Sequence, residues 1–238
     1  MGKLSIVSTP IGNLEDITVR AIKTLFHADV ILCEDTRRSG LLLHELALRY
    51  GEQFDQHPDW KPKLIPYYDE IEEKKLPEII GLLEEGNDVA LISDAGTPLI
   101  SDPGFRLVRE CLKRNYQVES IPGASAILAG LTSSGLPADM FLFLGYPPEK
   151  QTARISLLER IKKLNALDIH LAPTLVFYCA PHKLKTTLED VNGVFGDIQI
   201  VLARELTKIH EQMWKGTVAQ AMEDFSDPKG EFVLLFRI

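Results

Sequence analysis

Through the first half of the chain, apolar and polar positions alternate between two periods. "LSIVS", "DVILCED", "LIPYY", "DVALIS" and "YQVESIPG" are short apolar runs that read as strands, and "DVALI" has the continuous, β-branched character of a strand covered on both faces. Between them "ITVRAIKTLF", "TRRSGLLLHELALRY", "EEKKLPEIIGLLEEG" and "FRLVRECLKR" space their apolar residues as helices do, and Gly86 ends the third of these. "ASAILAGLTSSG" closes the unit. Strands and helices alternating at this spacing predict a mainly parallel sheet with helices on both faces. "GEQFDQHPDWKPK" is a longer polar connection rich in turn formers.

The texture changes around "SSGLPADM". Downstream, "FLFLGY", "TLVFYCA", "IQIVLAREL" and "EFVLLFRI" read as strands, separated by the charged helix "KQTARISLLERIKKLN" and by "KLKTTLEDVNGVF". The expected organisation is an N-terminal α/β domain over residues 1–136 and a C-terminal α+β domain with a mixed sheet over 137–238, with a ligand cleft between them.

The 238 residues suffice for one large domain or two modest ones, and a net charge of −8 argues against gripping a long nucleic-acid backbone by electrostatics alone. Local basic patches remain open at Arg37–Arg38, Lys162–Lys163, Lys183 with Lys185, and Arg204 with Lys208, although such pairs are as often solvated faces. No stretch approaches the roughly 20 apolar residues that span a bilayer, and "MGKLSIVSTP" reads as a first strand rather than a leader; the expected location is the cytoplasm, with no membrane partner. Cys33, Cys111 and Cys179 are far apart and odd in number, so they read as buried small hydrophobes rather than a disulfide framework or zinc site.

Three strand-to-helix loops share one character: "STPIGN" (Ser8 to Asn13), "AGTPLIS" (Ala95 to Ser101) and "IPGASA" (Ile121 to Ala126). Each sets Gly and Pro after a strand, where loops of a parallel sheet converge on one crevice and open backbone can face a ligand. In the wider stretch "SDAGTPLISDPG", Asp102 and Pro103 could equally open a helix. There is no G-x-G-x-x-G opening a helix and no G-x-x-x-x-G-K-[ST], which weakens dinucleotide and P-loop readings. A backbone-framed crevice with few charges suits an adenosine-like ligand with a compact charge.

"TPIGNLEDIT", "CEDTRR", "SDAGTPLISDPG", "PGASA" and "ARELTKIHE", in this order, resemble the tetrapyrrole methylase-like superfamily of S-adenosylmethionine methyltransferases, and within it the branch that modifies ribosomal RNA. The resemblance implies a two-domain class III methyltransferase fold, S-adenosylmethionine in the cleft, a homodimer, and 2′-O-methylation of a cytidine ribose in the decoding centre of 16S ribosomal RNA within the small subunit. By motif it places Pro10, Gly12, Ala95, Gly96, Thr97, Ile100, Ser125, Ala126, Cys179 and Leu206 at the cofactor. The branch's "FYESPHR" appears here as "FYCAPHK", its "GFLPRK" as "GYPPEK", its "HEHNE" as "YYDEI", and many members continue beyond the equivalent of "GEFVLLFRI". Two other activities fit the superfamily: methylation of a small molecule such as a tetrapyrrole, or a non-catalytic S-adenosylmethionine-binding factor associated with the ribosome.

Methyl transfer to a ribose hydroxyl requires alignment of that hydroxyl and a group to take its proton, with no metal. The charged candidates at strand ends are Glu34, Asp35 and Arg37 in "CEDTRR", and Arg204, Glu205 and Lys208 in "ARELTK". Asp35 and Glu34 could instead cap the following helix, and Arg37 and Arg38 could contact phosphate or lie on a solvated face. His182, and His210 with Glu211, are open to both catalytic and structural readings; His44 and His57 show no metal-ligand spacing.

Overall fold

The computed structural model describes residues 2–56, 60, 62–167 and 172–238, with backbone alone for 164–167; His57 lies outside the described residues. The chain divides into two compact units, the first ending at Ser125 and the second running Ala126–Ile238. That division falls within "ASAILAGLTSSG", the stretch that the sequence places at the close of the first domain.

The first unit carries strands β1 (Lys3–Val7), β2 (Val30–Cys33), β3 (Lys63–Pro66), β4 (Val89–Leu91) and β5 (Gln117–Ile121) and helices α1 (Val19–His27), α2 (Thr36–Tyr50), α3 (Asp69–Glu84) and α4 (Phe105–Lys113). The strands form one parallel sheet in the order β3-β2-β4-β1-β5. From β1 the chain moves outward to β2 and β3, then returns to β4 and crosses β1 to reach β5. Right-handed crossovers therefore put α1 and α2 on one face and α3 and α4 on the other. Two apolar clusters match this: Ile22, Leu25, Leu43 and Leu46 pack over Val7, Ile31 and Ala90, and Ile79, Leu83, Leu107 and Cys111 pack over Leu4, Leu32 and Leu91. Because connections leave β1 and β4 in opposite directions, the carboxyl ends of these neighbours frame a crevice, the usual ligand position in open α/β sheets.

The second unit has α5 (Ala126–Ser134), β6 (Phe141–Phe143), α6 (Gln151–Leu167), β7 (Thr174–Cys179), α7 (Pro181–Phe195), β8 (Gln199–Arg204), β9 (Gln212–Thr217), α8 (Val218–Asp224) and β10 (Phe232–Phe236). Its sheet is mixed, in the order β6-β7-β10-β8-β9, with only β6 and β7 parallel. Residues of α6, α7 and α8 bury one face over Leu175, Phe177, Leu202, Leu234 and Phe236. Helix α5 meets the opposite face, where an added Cβ at Gly130 would lie 3.5 Å from both Ala203 and Val233. This packing, absent from any local pattern, carries α5 into the second unit. Among the described residues no helix is long and apolar enough to cross a membrane.

Candidate active site

The loops after β1, β4 and β5 are joined directly. Thr9 and Gly96 exchange backbone hydrogen bonds, the Thr9 amide donating to Gly96 at 2.8 Å and the Gly96 amide to Thr9 at 3.1 Å. The Ser8 and Thr97 hydroxyls lie 2.9 Å apart, and the Thr97 hydroxyl donates to the Ala124 carbonyl at 3.2 Å. Thr97 therefore ties all three loops. Gly123 is required at this junction, since a Cβ there would come within 2.9 Å of the Ser8 Cβ. Gly96 adopts φ +88°, the left-handed region that glycine occupies at least cost.

The β4 loop then holds two non-glycine residues, Leu99 (φ +71°) and Ser101 (φ +67°), in the same sparsely populated region, on either side of the exposed Ile100. Such strain costs of order 1–3 kcal/mol per residue and persists where surrounding contacts over-determine it. Gly12, Ala95, Pro122 and Gly123 are exposed, so short side chains leave backbone open at the rim. The segments 8–13, 93–101 and 122–126 contain no lysine or arginine. That donor set of neutral hydroxyls and amides fits an adenosine and leaves a sulfonium cation unopposed by positive charge.

A carboxylate group borders the crevice. Glu34, just after β2, is half-buried, and burial pushes its carboxyl up to about 7, with the charges of Asp102, Asp94 and Asp69 adding and a hydrogen bond from the Asp94 amide opposing. Burial likewise lifts Asp102 to about 6, against a hydrogen bond from Ser93 and with Asp94 and Asp69 adding. Asp94 is tied down on both sides: one oxygen accepts from the Asp35 amide at 3.3 Å, the other pairs with the Arg38 guanidinium at 3.0 Å. The side chain of Asp35 accepts from the amides of Arg37 (2.8 Å) and Arg38 (3.4 Å), capping α2. Those hydrogen bonds, led by the one from Arg37, hold its carboxyl below the ordinary range. Arg37 itself is exposed on the first turn.

In the second unit, Glu205 and Lys208 form an ion-paired knot. The Lys208 ammonium lies 3.2 Å from Glu205 and 2.9 Å from Glu231, and a Glu205 oxygen also accepts the Glu231 amide at 2.9 Å. Burial opposes the Lys208 charge, and the two carboxylates more than offset it, leaving its pKa above the ordinary lysine value. The Glu231 amide, against opposing burial and helped by Lys208, holds Glu205 below its ordinary value. Gly230, at φ +90°, is needed here because a Cβ would come within 2.6 Å of the Glu205 side chain. Glu205 (φ +49°) and Thr207 (φ +64°) bracket the buried Leu206.

Within the first unit the structure thus gathers Pro10, Gly12, Ala95, Gly96, Thr97, Ile100 and Ser125 on three joined loops, with Glu34, Asp35 and Arg37 at the adjacent strand end; within the second, Glu205, Leu206 and Lys208 share one loop. Ala126 opens α5. The Cys179 thiol points into the helix-facing core, 1% exposed, and burial raises it to about 11. Cys33 and Cys111 are free and buried as well. His182 and His210 are exposed, and Glu211 accepts the Thr207 amide at 2.5 Å.

Asp94 and Asp102 are absent from the sequence-derived candidates. Asp102 reads as a helix opener, yet α4 starts at Phe105, capped by Gly104. The buried Glu72 instead accepts the Arg106 amide at 3.1 Å and the Tyr67 hydroxyl at 3.0 Å. Both missed carboxylates depend on β2 and β4 being neighbours, which no local pattern encodes.

A family model described as tetrapyrrole (corrin/porphyrin) methylases matches residues 3–222. A protein of Thermotoga maritima named ribosomal RNA small subunit methyltransferase I is 41% identical over 237 residues, covering 99% of this chain and 98% of its own length. Proteins of the same name from Rickettsia prowazekii and Synechocystis are 44% and 42% identical, covering 98% and 99% of this chain and 77% and 78% of theirs. Among solved structures, a Thermus thermophilus uroporphyrin-III-C-methyltransferase superposes with a TM-score of 0.63 at 20% identity, over 99% of this chain and 94% of that one. A diphthine synthase superposes at 0.67 with 18% identity, over 98% and 90%. At these identities the two structures speak to the fold alone.

Proposed function

The chain belongs to the tetrapyrrole (corrin/porphyrin) methylase family, and from that premise we propose that it methylates the 2′-oxygen of a cytidine ribose in the decoding centre of 16S ribosomal RNA within the small subunit, acting as a homodimer in the cytoplasm. It is a methyltransferase that uses S-adenosylmethionine. The observation carrying the RNA reading is identity above 40%, over nearly the whole chain, to relatives named for that substrate.

When bound, S-adenosylmethionine supplies an electrophilic methyl on a sulfonium, a leaving group that needs no metal. The protein's part would be to hold the cofactor on the joined loops around Thr97, to position the ribose hydroxyl, and to accept its proton. The Glu34 carboxylate would take the proton that the ribose hydroxyl gives up as its oxygen gains the methyl supplied by the cofactor. Glu34 suits that role because its pKa of about 7 places it near the operating pH, where a general base is most effective. Arg37, exposed on the first turn of α2, contacts RNA phosphate. Glu205 and Lys208 fix the loop that carries Leu206.

The test is transfer of label from methyl-labelled S-adenosylmethionine to small ribosomal subunits that lack the modification, run beside a tetrapyrrole such as uroporphyrinogen III. Label in the subunits and none in the tetrapyrrole is expected. Label only in the tetrapyrrole would reassign the substrate, and S-adenosylmethionine binding with label in neither would fit a non-catalytic factor.

A further inference from the structure

Two stretches in which the sequence departs from the branch pattern, "GYPPEK" and "FYCAPHK", meet at one end of the second unit's sheet. Strands β6 and β7 are parallel and paired, so the segments that follow them emerge side by side. The Tyr178 amide donates to the Gly145 carbonyl at 3.0 Å, joining the two. Three aromatic rings line the junction in series: Phe143 meets Tyr178 edge-on with centroids 4.9 Å apart, and Tyr178 meets Tyr146 at 5.5 Å. Tyr146 is 59% exposed.

The loop carrying Tyr146 is braced from below. Arg154, whose side chain is 5% exposed, bonds the equally buried Asp190 at 2.6 Å and donates to the carbonyls of Pro148 (2.9 Å) and Glu149 (3.3 Å). Gln151 completes the Asp190 carboxylate at 2.9 Å. A buried ion pair carries a desolvation penalty of several kcal/mol per ion, so it is poor evidence for stability by itself. Here its spare donors hold two successive carbonyls of the loop that carries the exposed ring.

Basic side chains stand close by in the sequence. Lys183 pairs with Glu149 and neutralises it, and that hydrogen bond, against opposing burial and joined by the charges of Lys183, His182 and Arg154, lowers the Glu149 carboxyl below its ordinary range. Lys150, His182 and Lys185 are exposed nearby in sequence, the last two at i and i+3 on one face of α7. An exposed ring with lysines near it in sequence matches single-stranded RNA, whose bases stack on aromatic faces while phosphates meet lysines. In a chain of net charge −8, such local attraction must supply what the overall charge does not.

We infer that Tyr146, backed by Tyr178 and Phe143 and flanked by Lys150, His182 and Lys185, is a stacking platform for an unpaired nucleobase of the RNA substrate. This rests on the RNA reading above. The test compares wild type, Tyr146→Ala and Tyr146→Trp for methylation of unmodified small subunits, with S-adenosylmethionine affinity by calorimetry, thermal melting and sedimentation measured in parallel. Tyr146→Ala is expected to raise the KM for subunits about tenfold or more, the effect of losing one stacked base. Its kcat, cofactor affinity, melting temperature and oligomeric state should stay at wild-type values, and Tyr146→Trp should retain the wild-type KM.

An unchanged KM in Tyr146→Ala overturns the platform, and so does a change of oligomeric state, which would make this face a contact between copies of the chain. If wild type methylates no subunits, the RNA reading fails on its own. The platform is then judged by binding of a fluorescein-labelled single-stranded RNA, where equal affinity of wild type and Tyr146→Ala overturns it.

Discussion

Glu34 and Asp35 are adjacent letters with different work. The Asp35 carboxylate turns to the amides of Arg37 and Arg38, while Glu34 faces Asp94, Asp102 and Asp69. Both readings of "CEDTRR", helix cap and strand-end acid, thus have a residue to match them, and the sequence could not divide them because the dividing neighbours come from other strands. The consequence at Glu34 concerns both rate and stability. A base must be ionised to accept a proton, so the single-turnover methylation rate should rise with pH through about 7 and level off above it. Glu34→Gln should lower that rate by about 10²–10⁴-fold and abolish the pH rise, with S-adenosylmethionine affinity retained. The stability sign is opposite. A carboxyl raised from 4.5 to about 7 on folding keeps a proton that the unfolded chain releases, so stability falls as pH rises across that interval and the penalty persists above it. Glu34→Gln should therefore melt above wild type at pH 8. A variant that is less stable at pH 8 and fully active would remove Glu34 from the chemistry.

At the scale of elements, α2 shows what local pattern conveys. Its start at an acid of "CEDTRR" is readable directly though the choice of Asp35 over Glu34 is not, and Asp35→Ala should lower the chemical denaturation midpoint, whereas Asp35→Ser should keep both stability and activity. Loss of activity in a stable Asp35→Ser variant would give the carboxylate a role beyond capping. The parallel strands of the first unit, with their continuous apolar runs, are legible for the same reason. In contrast, β9 ("QMWKGT") and α8 go unread, because an edge strand with polar residues and a glycine has no continuous apolar run and α8 spans only seven residues. The stretch that forms α5 reads in the sequence only as the close of the first unit, since Gly130 reveals its packing only once Ala203 and Val233 stand beside it. The three loops announce themselves by their glycines and prolines. Thr97 as the tie between Ser8 and Ala124 does not, because that depends on strand order.

For the whole molecule, the order of five motifs along the chain identifies the family more firmly than any one of them, and the family model and full-length relatives agree with it. What composition conveys is narrower: a net charge of −8 disfavours binding through a broad electrostatic field and requires that any RNA contact be local. The central claim concerns the atom that receives the methyl group. The decisive measurement is nucleoside-resolved mass mapping of 16S ribosomal RNA after incubating this protein and isotopically labelled S-adenosylmethionine with small subunits from cells lacking the modification. The expected result is label on the ribose of a single decoding-centre cytidine, lost in Glu34→Gln. Label on a base, or on the ribose of another nucleotide, would contradict the proposed chemistry.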